Sequence, residues 1–140
     1  MVVNTKNASG YGGVPPVATT CDRSICGGPL YSITTLTGLL KHGGQNIVPW
    51  TRGSSADLEK LSLDLDGAAR ILLEALQNGR YHNSEWCQQH PSGPWAACDA
   101  YVLQRSEWIP SAHKEMMMEY YLKLAISKTG SVLLLVSFHP

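Results

Sequence analysis

Residues Glu119–Pro140 read "EYYLKLAISKTGSVLLLVSFHP", two apolar-rich halves joined through Thr129-Gly130-Ser131. A turn-forming cluster between two runs of aliphatic and aromatic residues predicts a β-hairpin. With a three-residue loop, Tyr121 falls opposite His139, Lys123 opposite Ser137 and Ala125 opposite Leu135. One face then carries Leu122, Leu124, Ile126, Leu134, Val136 and Phe138, with no polar residue. The other face carries Tyr121, Lys123, Ser137 and His139. A two-residue loop instead pairs Leu122 with Ser137 and Tyr121 with Phe138, which mixes the faces. A slip of one residue turns every side chain to the opposite face, so the clean separation selects the three-residue loop. The hairpin thus predicts a sheet with one face for the core and one polar face resembling a site.

Working upstream, "RYHNSEW" (80–86) and "ACDAYVLQRSEW" (97–108) read as further strands, set apart by Pro, Gly, Ser and Gln. Before Gly79 the period is helical. "DLDGAARILLEALQNG" (64–79) places Leu65, Ala69, Leu72, Leu73 and Leu76 on one stripe. Asp64 and Asp66 suit the N-terminal dipole, and Asn78-Gly79 supplies a stop. "YSITTLTGLLKHGG" (31–44) aligns Ile33, Leu36, Leu39 and Leu40 and ends at Gly43-Gly44. Between these, "IVPWTRGSSADLEKLSLD" (47–64) holds a short extended piece and a short helix opened by Ser54-x-x-Asp57, a pattern like a capping box. Helices first and strands second predict an α+β fold, a twisted antiparallel sheet packed against two or three N-terminal helices. Residues 1–28, rich in Gly, Pro, Thr, Ser and Val without any period, form an extension that is flexible unless pinned. The domain proper is 29–140.

At 140 residues the chain supports about one hydrophobic core. Eleven basic and eleven acidic side chains cancel, so no whole-molecule field points to nucleic acid or membrane, although one pocket needs few cations. The longest apolar run, "SVLLLVSF", falls far short of the roughly 20 residues of a membrane helix. The opening "MVVNTKNASG" lacks a charged-then-apolar signal pattern, so a cytoplasmic location is expected, with the four cysteines as thiols.

From about Tyr31 to His139 the chain resembles the MqsR family of mRNA-cleaving toxins, part of the wider group of RelE-like ribonucleases. The phrases that carry the resemblance are "LEKLSLDLDGAARILLEAL", "RYHNS", "CDAYV" and "YYLKLAI…VLLLVSFH", in the family's order. They stand for its Gly-Leu-Asp-Phe-Asp-Gly helix, its Phe-Tyr-Lys-Ser and Trp-Gln-Asp-Val-Tyr strands, and its closing hairpin. The resemblance implies a RelE-like fold, a cognate antitoxin protein as partner, mRNA as substrate and no cofactor. It also implies that His82, Tyr121 and His139 stand on catalytic positions. Lysine is usual in the family where this chain has His82 and His139, and glutamine where it has Cys98; Tyr121 is kept. Other RelE-like enzymes use histidines at comparable sheet positions.

The chemistry suits those residue types. Metal-free RNA cleavage deprotonates a 2′-hydroxyl, stabilises the phosphorane and protonates the 5′-oxygen. Histidine serves the first and third steps because a pKa of about 6.5 populates both protonation states near neutrality. Tyr121 can donate to the phosphate, and Lys123 or Arg80 can stabilise developing charge. Cys98 and Ser137 complete the expected RNA-binding set. The expected function is therefore that of a toxin cleaving single-stranded mRNA to a 2′,3′-cyclic phosphate. The alternative is a non-catalytic binding or regulatory module of the same fold, in which His82 and His139 are solvated sheet residues.

A zinc-stabilised version of that module would use Cys21, Cys26, Cys87, His90 and Cys98, although their spacing is looser than a paired Cys-x2-Cys pattern. Trp86, Trp95 and Trp108 suit a core edge or partner interface more than base stacking. "HKEMMMEYY" reads as either a strand entry or an adaptable contact surface.

Overall fold

The computed structural model describes residues 4–16 and 22–140. The elements are β1 (Ser24–Ile25), α1 (Ile33–Leu40), β2 (Ile47–Pro49), α2 (Arg52–Lys60), α3 (Leu65–Asn78), β3 (Arg80–Gln88), β4 (Trp95–Ile109), β5 (Lys114–Ile126) and β6 (Leu133–His139). The fold is α+β. Six strands form one open sheet in the order β1-β3-β4-β5-β6-β2, antiparallel except where β2 runs parallel to β6.

Local chemistry sets the helix limits. The Ser32 side chain caps α1 by accepting from the Thr35 N–H, and Asp64 caps α3 by accepting from Gly67. The capping box of α2 sits three residues earlier than the sequence pattern suggests: Thr51 is the N-cap and Ser54 the reciprocating residue. Asp57 is thereby released for a tertiary role, and its carboxylate accepts the Phe138 N–H at 2.9 Å. Thr51 Oγ1 donates to the Val136 carbonyl at 2.8 Å. The outer edge of β6 is thus paired with β2 along Leu133–Leu135 and met by α2 beyond, which leaves little of it bare. Gly44 is needed for close approach, since a Cβ there would lie 2.4 Å from the backbone carbon of Leu65.

One face of the sheet receives the helices. Leu36 and Leu40 of α1 and Ala68, Ile71, Leu72, Ala75 and Leu76 of α3 join Tyr101, Leu103, Leu122, Leu124 and Phe138 in the main core. A second cluster, Trp86, Trp95 and Ala97, lies on the same face beyond the helices. The N-terminal segment covers it. Trp95 exchanges backbone hydrogen bonds with Lys6 and Ala8, its indole donates to the Asn4 carbonyl, and Tyr11 meets Trp86 edge-on. What the sequence sets apart as an extension is thus, over residues 4–16 and at β1, hydrogen-bonded to the sheet. Residues 1–3 and 17–21 lie outside the described part.

The closing hairpin combines the expected register with a correction. Tyr121 pairs with His139 and Lys123 with Ser137, as the face argument requires. Nearer the turn, Leu124 pairs with Leu135 and Ala125 with Leu134, because a bulge at Val136 takes up one residue. The loop is correspondingly longer by one, closed by Ser127 and Val132, with Gly130 at φ +78°. Leu133 and Leu135 therefore face the helices in place of Leu134. Leu134 lies on the opposite face and is still buried.

Between the two clusters sits Asp99, the one buried carboxylate among the described residues. It accepts the Leu30 and Tyr31 N–H groups at 2.9–3.1 Å and the Ser84 hydroxyl at 2.6 Å. Asp99→Ala strands these donors and should cost about 3 kcal/mol or more of unfolding free energy, read from urea denaturation followed by tryptophan fluorescence. Asp99→Asn, which keeps an acceptor oxygen, should cost less.

Beside it, the Tyr101 hydroxyl is buried without a hydrogen-bond partner among the described residues. Burial, then the neighbouring Asp99 and Tyr81, push its pKa up to about 12. A phenol raised above its unfolded value of about 10 stabilises the fold fully below that pH and loses the contribution as pH rises toward 12. Tyr101→Phe should leave the urea midpoint at neutral pH unchanged or raised, and should make its alkaline fall shallower.

Candidate functional site

The face opposite the helices carries two polar rows running across four strands. Strand register places Arg80, Val102, Tyr121 and His139 side by side, and next to them Asn83, Ala100, Lys123 and Ser137. The middle strand, β4, contributes only small or aliphatic residues here. Side chains of β3 and β5 therefore meet above it.

His82 owes its position to a bulge. Register shifts between Tyr81 and Asn83, so Tyr81 and Ser84, three residues apart, both face the core and join hydroxyls at 2.6 Å. His82 and Asn83 are left exposed at the bulge. The His82 ring approaches Tyr121 edge-on, with centroids 6.0 Å apart. His139, from β6, lies on the other side of Tyr121 at 5.6 Å with rings tilted by 30°. Both histidines are exposed and Tyr121 is half-buried. The structure thus brings His82, Tyr121 and His139 together, with Lys123 Nζ 5.4 Å from the centre of the Tyr121 ring.

Three of the other expected residues behave differently. Arg80 is exposed at the end of the first row, and Ser137 is half-buried opposite Lys123. Cys98 is fully buried, and this corrects its expected role, because a side chain with no exposed surface cannot touch RNA.

Lys123 is present but not free. It forms an ion pair with Glu85, and only 12 % of its side chain is exposed. Burial alone would lower its pKa. The neighbouring Cys87, the hydrogen bond donated to Glu85, Tyr121 and the Glu85 charge outweigh that and raise it, so the ammonium stays charged.

Glu85 is a site-face residue that sequence reasoning passed over, and Cys87, considered there only as a zinc ligand, lies on the same face. Their signal was alternation along β3, which aligns Glu85 and Cys87 with Asn83; the connection between Gln88 and Trp95 hid the pairing of Glu85 with Cys98. Cys87 is half-buried. Hydrogen bonding from the Cys98 thiol pulls its pKa down; burial and Glu85 oppose this, and Lys123 assists. Cys98, desolvated and adjacent to Cys87, is pushed up and keeps its proton.

The zinc set of the alternative reading does not assemble within the described residues. No group of three or more His, Cys, Asp or Glu side chains there could hold a metal, and Cys21 lies outside them. Trp86 and Trp95 are core residues, whereas Trp108 is 55 % exposed. A groove lined by Trp50, Arg52, Gln89, His90 and Pro91 lies near the far end of β3, away from His82. No helix among the described residues is long and apolar enough to cross a membrane.

Comparison with known protein families, curated proteins and solved structures gives no match.

The thiolate is the reactive form of cysteine. Iodoacetamide should modify Cys87 readily at neutral pH despite its half-buried position, and Lys123→Met should slow that modification several-fold. Peptide mass spectrometry separates Cys87 from the exposed Cys26, which serves as the internal reference.

Proposed function

We propose that this chain is a metal-independent endoribonuclease of RelE-like, MqsR-like type that cleaves single-stranded mRNA and is restrained by a cognate antitoxin protein. The observation that carries the proposal is the convergence of two histidines from non-adjacent strands on one tyrosine, on a solvent-open polar face. In-line cleavage needs a base and an acid on opposite sides of one phosphate, and imidazoles flanking Tyr121 supply that pair. One histidine takes the 2′-hydroxyl proton as the 2′-oxygen attacks phosphorus. The other protonates the departing 5′-oxygen, leaving a 2′,3′-cyclic phosphate. Tyr121 donates to a non-bridging oxygen, and Arg80 and Lys123 offset the charge of the phosphorane.

The open face suits a flexible single strand, which brings its phosphate to the side chains without entering a cavity. The neutral net charge and the Glu85–Lys123 pair favour local contacts over long-range steering. That same pair also favours the rival reading, a non-catalytic binding module, because it engages the one lysine among these rows.

Purified protein with a defined single-stranded RNA and excess EDTA decides between them. The ribonuclease reading expects cleavage with 2′,3′-cyclic phosphate ends, a loss of about 100-fold or more for His82→Ala and for His139→Ala, and a smaller loss for Tyr121→Phe. Variants that cut as fast as the parent, or RNA left intact by the parent, would remove the proposal.

A further inference from the structure

Beyond the site, β4 and β5 continue as a two-stranded arm. β3 ends its pairing with β4 at Val102, and β6 ends its pairing with β5 at Tyr121. Past these points, from Leu103 to Tyr120, the ribbon has no third strand on either side among the described residues. Trp108, Met116 and Met117 lie on it, 55 %, 41 % and 66 % exposed. They are half of the large apolar side chains exposed among the described residues, so solvent-facing apolar surface concentrates on one element. A bare strand edge beside exposed aromatic and thioether side chains is a surface built for pairing.

We propose that the arm is a homodimer interface, in which the β4 edges of two copies pair antiparallel about a two-fold axis at Ser106. The residues along that edge select the occupant and the register. Centred on Ser106, Arg105 of each copy lies opposite Glu107 of the other, giving two equivalent ion pairs across the axis. Centring on Arg105 sets arginine against arginine, and centring on Glu107 sets glutamate against glutamate. The β5 edge offers no reciprocal ion pair, because Lys114 projects from the opposite face to Glu115 and Glu119 and cannot stand opposite either of them in a two-fold register. Like charges directly opposite are unfavourable, so the β4 edge in this one register is self-complementary.

The side chains can make the exchange. Arg105 Nε already lies 3.2 Å from Glu107 Oε1 and 3.7 Å from Glu74 Oε1 within one copy. A guanidinium has five donors and can hold a second carboxylate as well. On the face shared with the candidate site, register within each copy sets Met117 beside Ser106 and Trp108 beside Glu115. Pairing at Ser106 sets Trp108 of each copy beside Gln104 of the other and lines Met117 of both copies along the row through the axis. The pairing spans Leu103–Ile109. It stops where Pro110 turns the chain at one end and β3 takes over the edge at the other. The two polar faces then open on the same side of one continuous sheet.

The test uses charge reversal on the full chain, with sedimentation velocity over a concentration series and circular dichroism as the check on folding. The wild-type chain should dimerise by about 100 μM, and Arg105→Glu and Glu107→Arg should each raise the dissociation constant at least tenfold. An equimolar mixture of the two variants should recover the dimer. In the mixed dimer, position 105 of each copy meets the opposite charge at position 107 of the other. A wild-type chain that stays monomeric at about 100 μM overturns the proposal and leaves the arm to a different partner. So do single variants that dimerise like the parent, or folded variants whose mixture stays monomeric.

Discussion

A carboxylate with no access to solvent holds the two ends of this fold together. Asp99 sits in the first half of β4, facing the helices, and is satisfied by two backbone N–H groups of the 30–31 segment and the hydroxyl of Ser84. Removing a charge from water is costly, and the cost is offset when each lone pair finds a donor. Asp99 therefore demands that the chain entering α1 pass directly over β4. Tyr31 then reaches the Ala97 carbonyl, and α1 starts at a defined place on the core. The N-terminal segment continues this cover over Trp86 and Trp95, where no helix reaches. Both layers of the domain are referenced to one side chain.

The site depends on irregularities in the sheet more than on its regular parts. An unbroken β3 would send Tyr81 and Ser84 to opposite faces, and the bulge at His82 lets both point inward. The same extra residue leaves His82 exposed and within 6.0 Å of Tyr121. On the far side, the bulge at Val136 restores the alignment of Tyr121 with His139 after a loop one residue longer than the pattern requires. Two insertions on strands flanking the β4–β5 pair thus aim the two imidazoles at one tyrosine. Small residues on β4 complete the arrangement, since a bulky side chain at Ala100 would stand between Asn83 and Lys123.

Charge on this face is arranged locally. Lys123 is nearly desolvated, yet it keeps its proton because Cys87, Glu85 and Tyr121 all favour the ammonium. Its pairing with Glu85 fixes the lysine over the tyrosine ring and lowers the positive potential presented to solvent. Under the ribonuclease proposal, a phosphate at this face would meet a cation already shared with a carboxylate, and binding there would involve exchange of partners. A site of this kind selects by geometry more than by field strength, in keeping with a chain whose charges balance.

Periodicity alone determined the order of elements from α1 onward, the α+β class, and the pairing of Tyr121 with His139 and of Lys123 with Ser137, but not β1, which lies within the stretch read as an extension. Those features follow from which side chains avoid water, and a run of alternating residues states that directly. Ala69, Leu72 and Leu76 of the α3 stripe and the Gly79 stop were legible for the same reason. Leu65 and Leu73, by contrast, are only half-buried, Ala68, Ile71 and Ala75 join the core unread, and α1 stops at Leu40 ahead of Gly43-Gly44. Tertiary structure alone decided the two bulges, the capping of α2 by Thr51, the burial of Cys98 and the covering role of residues 4–16. Each of these turns on a partner distant in the chain: Ser84 against Asp99, Asp57 against Phe138, Glu85 against Lys123, Trp95 against Lys6. A local pattern records whether a residue prefers water or core. It cannot record which remote donor or charge will be waiting when the strands come together, and that meeting is what assembles the candidate site.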